Sequence, residues 1–473
     1  MLAYRDDPII AIATAPGRGA IGVVRISGQH LLAFAQALCR VSLKPRHAQR
    51  VPLQDDTGRI IDQALVLYFP APNSYTGEDV LELQCHGGMV VLNMVLAHCL
   101  AMAQQNNPHG QVNLRGLRLA QPGEFTQRAY LNNKIDLAQA EAVADLIDAH
   151  TEAAARSAGR SLQGTFSKQV HGLKDALVHV RTQIEASLDF PEEDIDFIEQ
   201  LGVARQVKDL LNQVENLLAL AEQGVLLRDG LKLVIAGQPN AGKSTLLNAL
   251  AGAELAIVTP IAGTTRDVLG QWIQIEGVPI HVLDTAGLRD QALADEVEQI
   301  GINRAWQQIQ QADMVLLMRD VGRAHDSAYQ QSQQALQAQI QQAMSARTRL
   351  LLIDNKADTL GLATAPEDCQ VVRLSAKTGQ GLPALRERIL TLAGWSSQTQ
   401  EGVFTARTRH VQALRQATHH LSMAVAQLGP PAPALDLLAE ECRLAQRALS
   451  SLIGDVSADD LLGEIFSRFC IGK

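Results

Sequence analysis

Residues Gly237 to Ser244, "GQPNAGKS", match G-x-x-x-x-G-K-[ST] between the apolar run "LKLVIA" and the helix-forming run "STLLNAL". In such a loop the N–H groups of Asn240, Ala241, Gly242, Lys243, Ser244 and Thr245 cradle a phosphate. Lys243 reaches the β- and γ-oxygens, and the Ser244 hydroxyl ligates Mg²⁺. One glycine-rich match can arise by chance, but further elements follow here in order. "TPIAGTT" supplies Thr259, Pro260, Ile261, Ala262, Gly263, Thr264 and Thr265, the last able to complete the Mg²⁺ shell and sense a γ-phosphate. "HVLDTAG" ends a strand on Asp284, then Thr285, Ala286 and Gly287, an aspartate for the metal shell and a glycine N–H for the γ-phosphate. "NKAD" (Asn355, Lys356, Ala357, Asp358) follows the apolar "RLLLI", and the Asp358 carboxylate can accept from guanine N1–H and the exocyclic amine. Adenine lacks that donor pair, so GTP is selected. "SAK" (Ser375, Ala376, Lys377) then closes over the base.

The residue after "DTAG" is Leu288, where Ras-like enzymes place a water-orienting glutamine, so another group must orient the attacking water. Glu296 and Glu298 in "ADEVEQIG" sit near this switch, and taken alone they read as a solvated acidic helix face. A monovalent cation held by Asn240 and carbonyls of "VTPIAGTT" can take the place of an arginine finger. The chain ends on "FCIGK". A lipidation box is a poor reading because Gly472 is not aliphatic and Lys473 is an unusual last residue. Cys470 is open between a reactive thiol and a small buried hydrophobe that positions the tail.

These residues need scaffolding. "IIAIATAPGRGAIGVVRIS" has the form strand-turn-strand, "ALVLYF" and "DVLELQ" continue in alternation, and "MVVLNMVLAHCLAMAQ" is helical in length and density. From "NNKIDLAQAEAVADLIDA" the texture becomes amphipathic helix, with Leu137, Ala140, Ala144 and Ile147 at helical spacing. Alternating β/α runs from "LKLVIAG" to about residue 394, and helices resume after it. The Gln-rich "YQQSQQALQAQIQQAM" reads as one exposed helix. The expected architecture is multidomain. It has an α+β domain over 1–132, a helical domain in two halves (133–228 and 396–473), and an inserted α/β P-loop GTPase domain over 229–395.

At 47% hydrophobic and 19% charged the chain is globular. Its net charge of -9 gives no general basic footprint, so a nucleic-acid substrate would need a local patch or a second protein. Six scattered cysteines without a C-x-x-C pair fit a reducing compartment, and no apolar run is long enough for a membrane span, so a cytoplasmic location is expected.

"PGRGAIGVVRISG", "NSYTGEDVLELQCHGG", "PGEFTQRAYLNNKIDLAQAEAVADLIDA", "IAGQPNAGKSTLLNAL", "IVTPIAGTTRDV", "DTAGLRD" and "FCIGK" together resemble the MnmE (TrmE) family of tRNA modification GTPases, in the TrmE-Era-EngA-YihA-Septin-like superfamily. The resemblance spans all three regions. It implies a homodimer formed through a folate-binding N-terminal domain, and a heterotetramer with the FAD-binding protein MnmG (GidA). Together the two install a carboxymethylaminomethyl or aminomethyl group on C5 of the wobble uridine of certain tRNAs, with 5-formyl- or methylene-tetrahydrofolate as one-carbon donor. It implies K⁺ at Asn240, Thr259, Ile261 and Thr264, Mg²⁺ at Ser244 and Thr265, and water orientation by Glu298. It places folate at Arg25, Glu82, Lys134 and Lys473, and it brings the tail back to the folate domain across a dimer. Cys85 stands where the family pattern has glycine, beside that site. The competing expectation is a GTPase switch in ribosome assembly without folate chemistry.

Overall fold

The structure is a computed structural model that describes residues 6–106, 110–189, 202–252, 270–284, 296–360, 371–396, 402–429, 434–454, 459–467, 469, 470 and 472. They fall into two compact units, one of residues 1–144, 167–174 and 447–473, the other of residues 145–166 and 175–446.

The first unit is built on a six-stranded sheet, β1 (Ile9–Ile12), β2 (Ile21–Gly28), β3 (Gln49–Gln54), β4 (Ile60–Phe69), β5 (Asp79–His86) and β6 (Arg118–Leu119), in the order β3-β4-β5-β2-β1-β6. Only β6 runs parallel to its neighbour β1. Along β4, Asp62, Ala64, Val66 and Tyr68 are buried while Gln63 and Leu65 are exposed. This two-residue period gives the sheet one buried and one open face at β4, whereas β1 and the end of β2 are buried on both. The buried face packs under α1 (Leu32–Cys39) and α2 (Met89–Gln104), through Phe34, Leu38, Leu92, Val95 and Cys99. Each large apolar side chain buried there contributes about 1.5–3 kcal/mol. Helix α3 (Glu124–Leu131) and the start of α4 (Leu137–Ile147) meet the C-terminal helix Asp459–Ser467 through Leu137, Ala140, Tyr130, Ile465 and Phe466.

In the second unit the sheet is β7 (Leu231–Gly237), β8 (Gly270–Ile275), β9 (Val278–Asp284), β10 (Met314–Asp320), β11 (Arg349–Asn355) and β12 (Val371–Arg373), ordered β12-β11-β10-β7-β9-β8. All neighbours are parallel except the β8–β9 hairpin. Strand β7 is buried at Leu233, Val234, Ile235 and Ala236, as a central strand covered on both faces must be. Around this sheet, the helix Val203–Asp229 packs along Thr408–Gln427, where Gly224 lets the chain at Phe404 and Ala406 approach. Thr151 accepts from Ala154 N–H as the N-cap of α5 (Glu152–Leu162) and donates to the Gly277 carbonyl in the hairpin turn.

The Gln-rich segment forms the helix Ser327–Ala343 but is not exposed all round, because Tyr329, Gln333 and Ile340 are buried. Glutamine's long stem lets such a helix turn one side toward a core despite its composition. Among the described residues, no helix is long and apolar enough to cross a membrane.

Candidate functional site

Strand β7 delivers the chain into the loop 237–242, and the helix Lys243–Ala251 follows at once. Asn240 sits at φ 61 and Gly242 at φ 97; a Cβ at Gly242 would lie 2.3 Å from Asn355 Nδ2. Glycine is therefore required at 242 by both backbone conformation and space. Asn355, 3% exposed, donates from Nδ2 to the Ala241 carbonyl (2.8 Å) and accepts at Oδ1 from the Ala376 N–H (2.9 Å). One buried amide thus ties the phosphate loop, the "NKAD" turn and the "SAK" loop into one surface. Lys243 Nζ donates to the Gly237 and Gln238 carbonyls, while Ser244 and Thr245 are exposed at the helix start. Exposed hydroxyl and N–H groups at a helix N-terminus are a donor set suited to phosphate and to a hard cation.

At the base-recognition end, Lys356 Nζ pairs with Asp320 Oδ2 at 2.6 Å. Asp358 is exposed in the 3₁₀ turn Ala357–Leu360. Ser375 is fully buried, its Oγ accepting from Thr378 N–H at 3.3 Å, and Lys377 is exposed. Thr259, Pro260, Ile261, Ala262, Gly263, Thr264, Thr265, Thr285, Ala286 and Gly287 lie outside the described residues. Asp284 closes β9 and Glu298 lies in the helix Glu296–Gln311; only their backbones are described. Of the two proposed cation sets, only Asn240 and Ser244 can therefore be placed.

A second constellation lies on the sheet face opposite α1 and α2, where Ile9, Ala11 and Ser27 beside it are buried with Phe125. Arg25 and Glu82 are cross-strand partners, with Arg25 Nε 2.9 Å from Glu82 Oε1 and side chains 21% and 19% exposed. The guanidinium lies 5.9 Å from the Tyr75 ring centre and 5.7 Å from that of Phe125, and its Nη1 donates to the Gly472 carbonyl at 3.2 Å. Phe125, fully buried, backs the charge pair and the exposed Tyr75 ring flanks it, a partly open slot suited to a flat heteroaromatic group with N–H donors. Lys134 lies against Gly77, donates to the Pro72 carbonyl at 3.0 Å, and lines a cavity of about 430 Å³ with Tyr130, Asp136 and His171. Lys473 lies outside the described residues.

The tail reaches this face within its own chain. Gly123 N–H donates to the Cys470 carbonyl at 3.4 Å, and a Cβ at Gly472 would lie 2.6 Å from Ile12 O. Cys470 is exposed, so burial is not its role. Cys85 points into the core with Leu83, away from Glu82 and Gln84, and burial pushes its thiol up to about 12. It therefore does not reshape the slot.

Sequence reasoning missed the support beneath. Arg128, 2% exposed, pairs with Glu78 (3.0 Å) and Glu124 (3.0 Å), and Arg118 also meets Glu124 at 2.7 Å. Burial pushes the Glu124 carboxyl up, but Arg118, the Gln121 N–H and Arg128 outweigh it and hold it below its ordinary range. The only signal was the i, i+4 spacing of Glu124 and Arg128 in "GEFTQRAY".

Comparison with known proteins gives two family matches, to the MnmE helical domain over residues 137–470 and to the GTP-binding protein TrmE N-terminus over 8–134. A protein of Acidovorax sp. (strain JS42) described as tRNA modification GTPase MnmE is 58% identical over 476 residues, covering 100% of both chains. Those of Paracidovorax citrulli, 56% identical with 100% of both chains covered, and Cupriavidus pinatubonensis, 53% identical with 98% and 99% covered, carry the same description. Among solved structures, Aquifex aeolicus Era bound to GDP and AlF4⁻ aligns over 41% of this chain and 67% of its own, at 27% identity and a TM-score of 0.27.

Proposed function

The chain belongs to the MnmE family of tRNA modification GTPases, and from that premise we propose that it hydrolyses GTP to drive modification of the wobble uridine of tRNA. Full-length identity to relatives of that description carries the reading, because it covers the nucleotide site and the Arg25–Glu82 face together. In this reading the helix start at Lys243 and Ser244 receives the phosphates and Mg²⁺, and Asp358 reads the guanine edge. Asn240 contributes to a K⁺ site, which supplies positive charge where the leaving oxygens develop negative charge. Glu298 orients the water. Asn355 holds the three loops in register for both tasks.

The Arg25–Glu82 slot is proposed as the tetrahydrofolate site, with Lys134 and Lys473 meeting the carboxylates. The exposed Tyr75 ring and a carboxylate beside a guanidinium support that choice. Folate supplies a one-carbon unit when bound, and redox chemistry falls to a flavin-carrying partner of the MnmG type in a complex with the homodimer. A cytoplasmic site of action goes with these substrates.

The test is mass spectrometry of tRNA nucleosides from a strain lacking this protein. C5-modified wobble uridines should vanish and return on complementation. Unchanged nucleosides would refute the reading. If the protein instead acted as a switch without folate chemistry, the purified full chain would show no saturable binding of 5-formyl-tetrahydrofolate by calorimetry.

A further inference from the structure

We propose that the stretch Arg40 to Arg50, with the edge strand it enters, is the surface that contacts the phosphate backbone of the tRNA. This rests on the tRNA reading above and adds where the RNA lies. Residues 40–50, "RVSLKPRHAQR", hold four Arg or Lys and no Asp or Glu, in a chain whose net charge is -9. Such a chain repels a polyanion at long range, so contact requires a local reversal of sign.

Arg40, Lys44, Arg46 and Arg50 are exposed, and among the described residues none of them is ion-paired. Their contacts are to neutral groups. Arg40 donates to Gln54 Oε1, and Arg46 Nη2 donates to the Asn73 carbonyl at 2.6 Å. The nearest acid along the chain, Asp55, accepts from Thr57 and from the Arg59 N–H within its own turn.

The cations stand on a fixed support. Lys44 N–H donates to Gln49 Oε1 (2.9 Å), Gln49 Nε2 to the Ser42 carbonyl (3.1 Å), and Arg46 N–H to the Tyr68 carbonyl (2.8 Å). Charges on an edge strand also guard against strand pairing. That role does not account for Arg40, Lys44 and Arg46, which precede the strand.

Position adds a second argument. Arg50 projects from the same sheet face as Glu82, two strands away, and Arg25, three strands away, or roughly 10 and 15 Å at ordinary strand spacing. Arg46 at Asn73 and Lys134 at Pro72 flank the loop that carries Tyr75 of the slot. A backbone lying on the ridge would hold its bases beside the face proposed for one-carbon chemistry. Three of the four cations are arginines, whose planar N–H fork matches phosphate oxygens in pairs.

The test is fluorescence anisotropy of a labelled tRNA transcript with the full-length protein across about 50–300 mM KCl. Lys44→Ala/Arg46→Ala/Arg50→Ala should bind about 10- to 100-fold more weakly near physiological salt. Its slope of log affinity on log salt should fall by about 2–3, at roughly 0.7–0.9 per lost phosphate contact. The charge-preserving Lys44→Arg/Arg50→Lys should keep the wild-type slope, and GTP turnover should be unchanged in both. Wild-type affinity and slope in the triple variant would overturn the proposal while leaving the proposed function standing. So would a loss of affinity at unchanged slope, which marks a folding defect, or loss of an acidic protein partner with RNA binding intact. Wild-type protein that binds no tRNA even at the lowest salt would overturn the tRNA reading itself and this inference with it.

Discussion

Gly123→Ala puts a methyl group where the C-terminal tail crosses the start of α3. Gly123 has φ +68, and a Cβ there would lie 2.5 Å from the Phe466 carbonyl oxygen and 3.0 Å from Phe469 Cβ. The left-handed conformation costs an L-residue about 1–2 kcal/mol. The contact is with backbone, which cannot turn aside as a side-chain tip can, and overpacking of this kind costs about 1–3 kcal/mol more. Together about 2–5 kcal/mol opposes tail docking, enough to release the segment Phe466 to Gly472 while the sheet remains folded. Arg25 would then lose the Gly472 carbonyl. Amide hydrogen exchange should show lost protection at the N–H of position 123, which in the wild type donates to Cys470, and folate affinity should fall, with GTP turnover unchanged. Wild-type protection at position 123 of the variant together with folding stability within about 0.5 kcal/mol of wild type would refute the packing argument.

Asn355→Ala strands the Ala241 carbonyl and the Ala376 N–H, each costing about 1–3 kcal/mol, so GTP affinity measured by calorimetry should drop by at least about tenfold. Glu124→Gln should destabilise the first unit by about 3–5 kcal/mol in urea unfolding, because it leaves Arg128 buried with half its partners. The Glu124 carboxyl is held below its ordinary value, so its stabilisation is complete above about pH 4.3 and fades as pH falls through the folded value; the variant's acid-unfolding curve should lack that part. Burial, then Lys232 and His150, hold the His281 imidazole below its usual value. The stack of His150, Trp272 and His281, with ring centres 4.3 and 4.7 Å apart, should therefore be stable above about pH 6.5 and loosen as pH drops, read as a change in Trp272 fluorescence absent in His281→Phe.

The nucleotide site was legible from sequence because its parts are short contiguous motifs whose chemistry is fixed by local backbone geometry. A strand, a glycine turn and a helix start are enough to aim N–H groups at a phosphate. The same holds for α2, whose apolar density over sixteen residues gives one helix whatever surrounds it. The Gln-rich helix was less legible, since composition fixed its type and only packing fixed that Ile340 turns inward.

Other features depend on contacts between distant residues. Nothing local says that Asn355 will bridge Ala241 and Ala376, or that Arg25 will register against Glu82 between Tyr75 and Phe125. Strand alternation could place Cys85 on the face opposite Glu82, but only the helices covering that face made it core. A fully buried Arg128 runs against the ordinary preference of arginine, and two carboxylates from separate segments make it tolerable. The sequence alone determined the GTPase chemistry and its guanine preference, because these follow from motif and order. Tertiary structure decided where the tail lies and what supports the second slot, because burial and charge pairing are properties of chain segments brought together and not of any one of them.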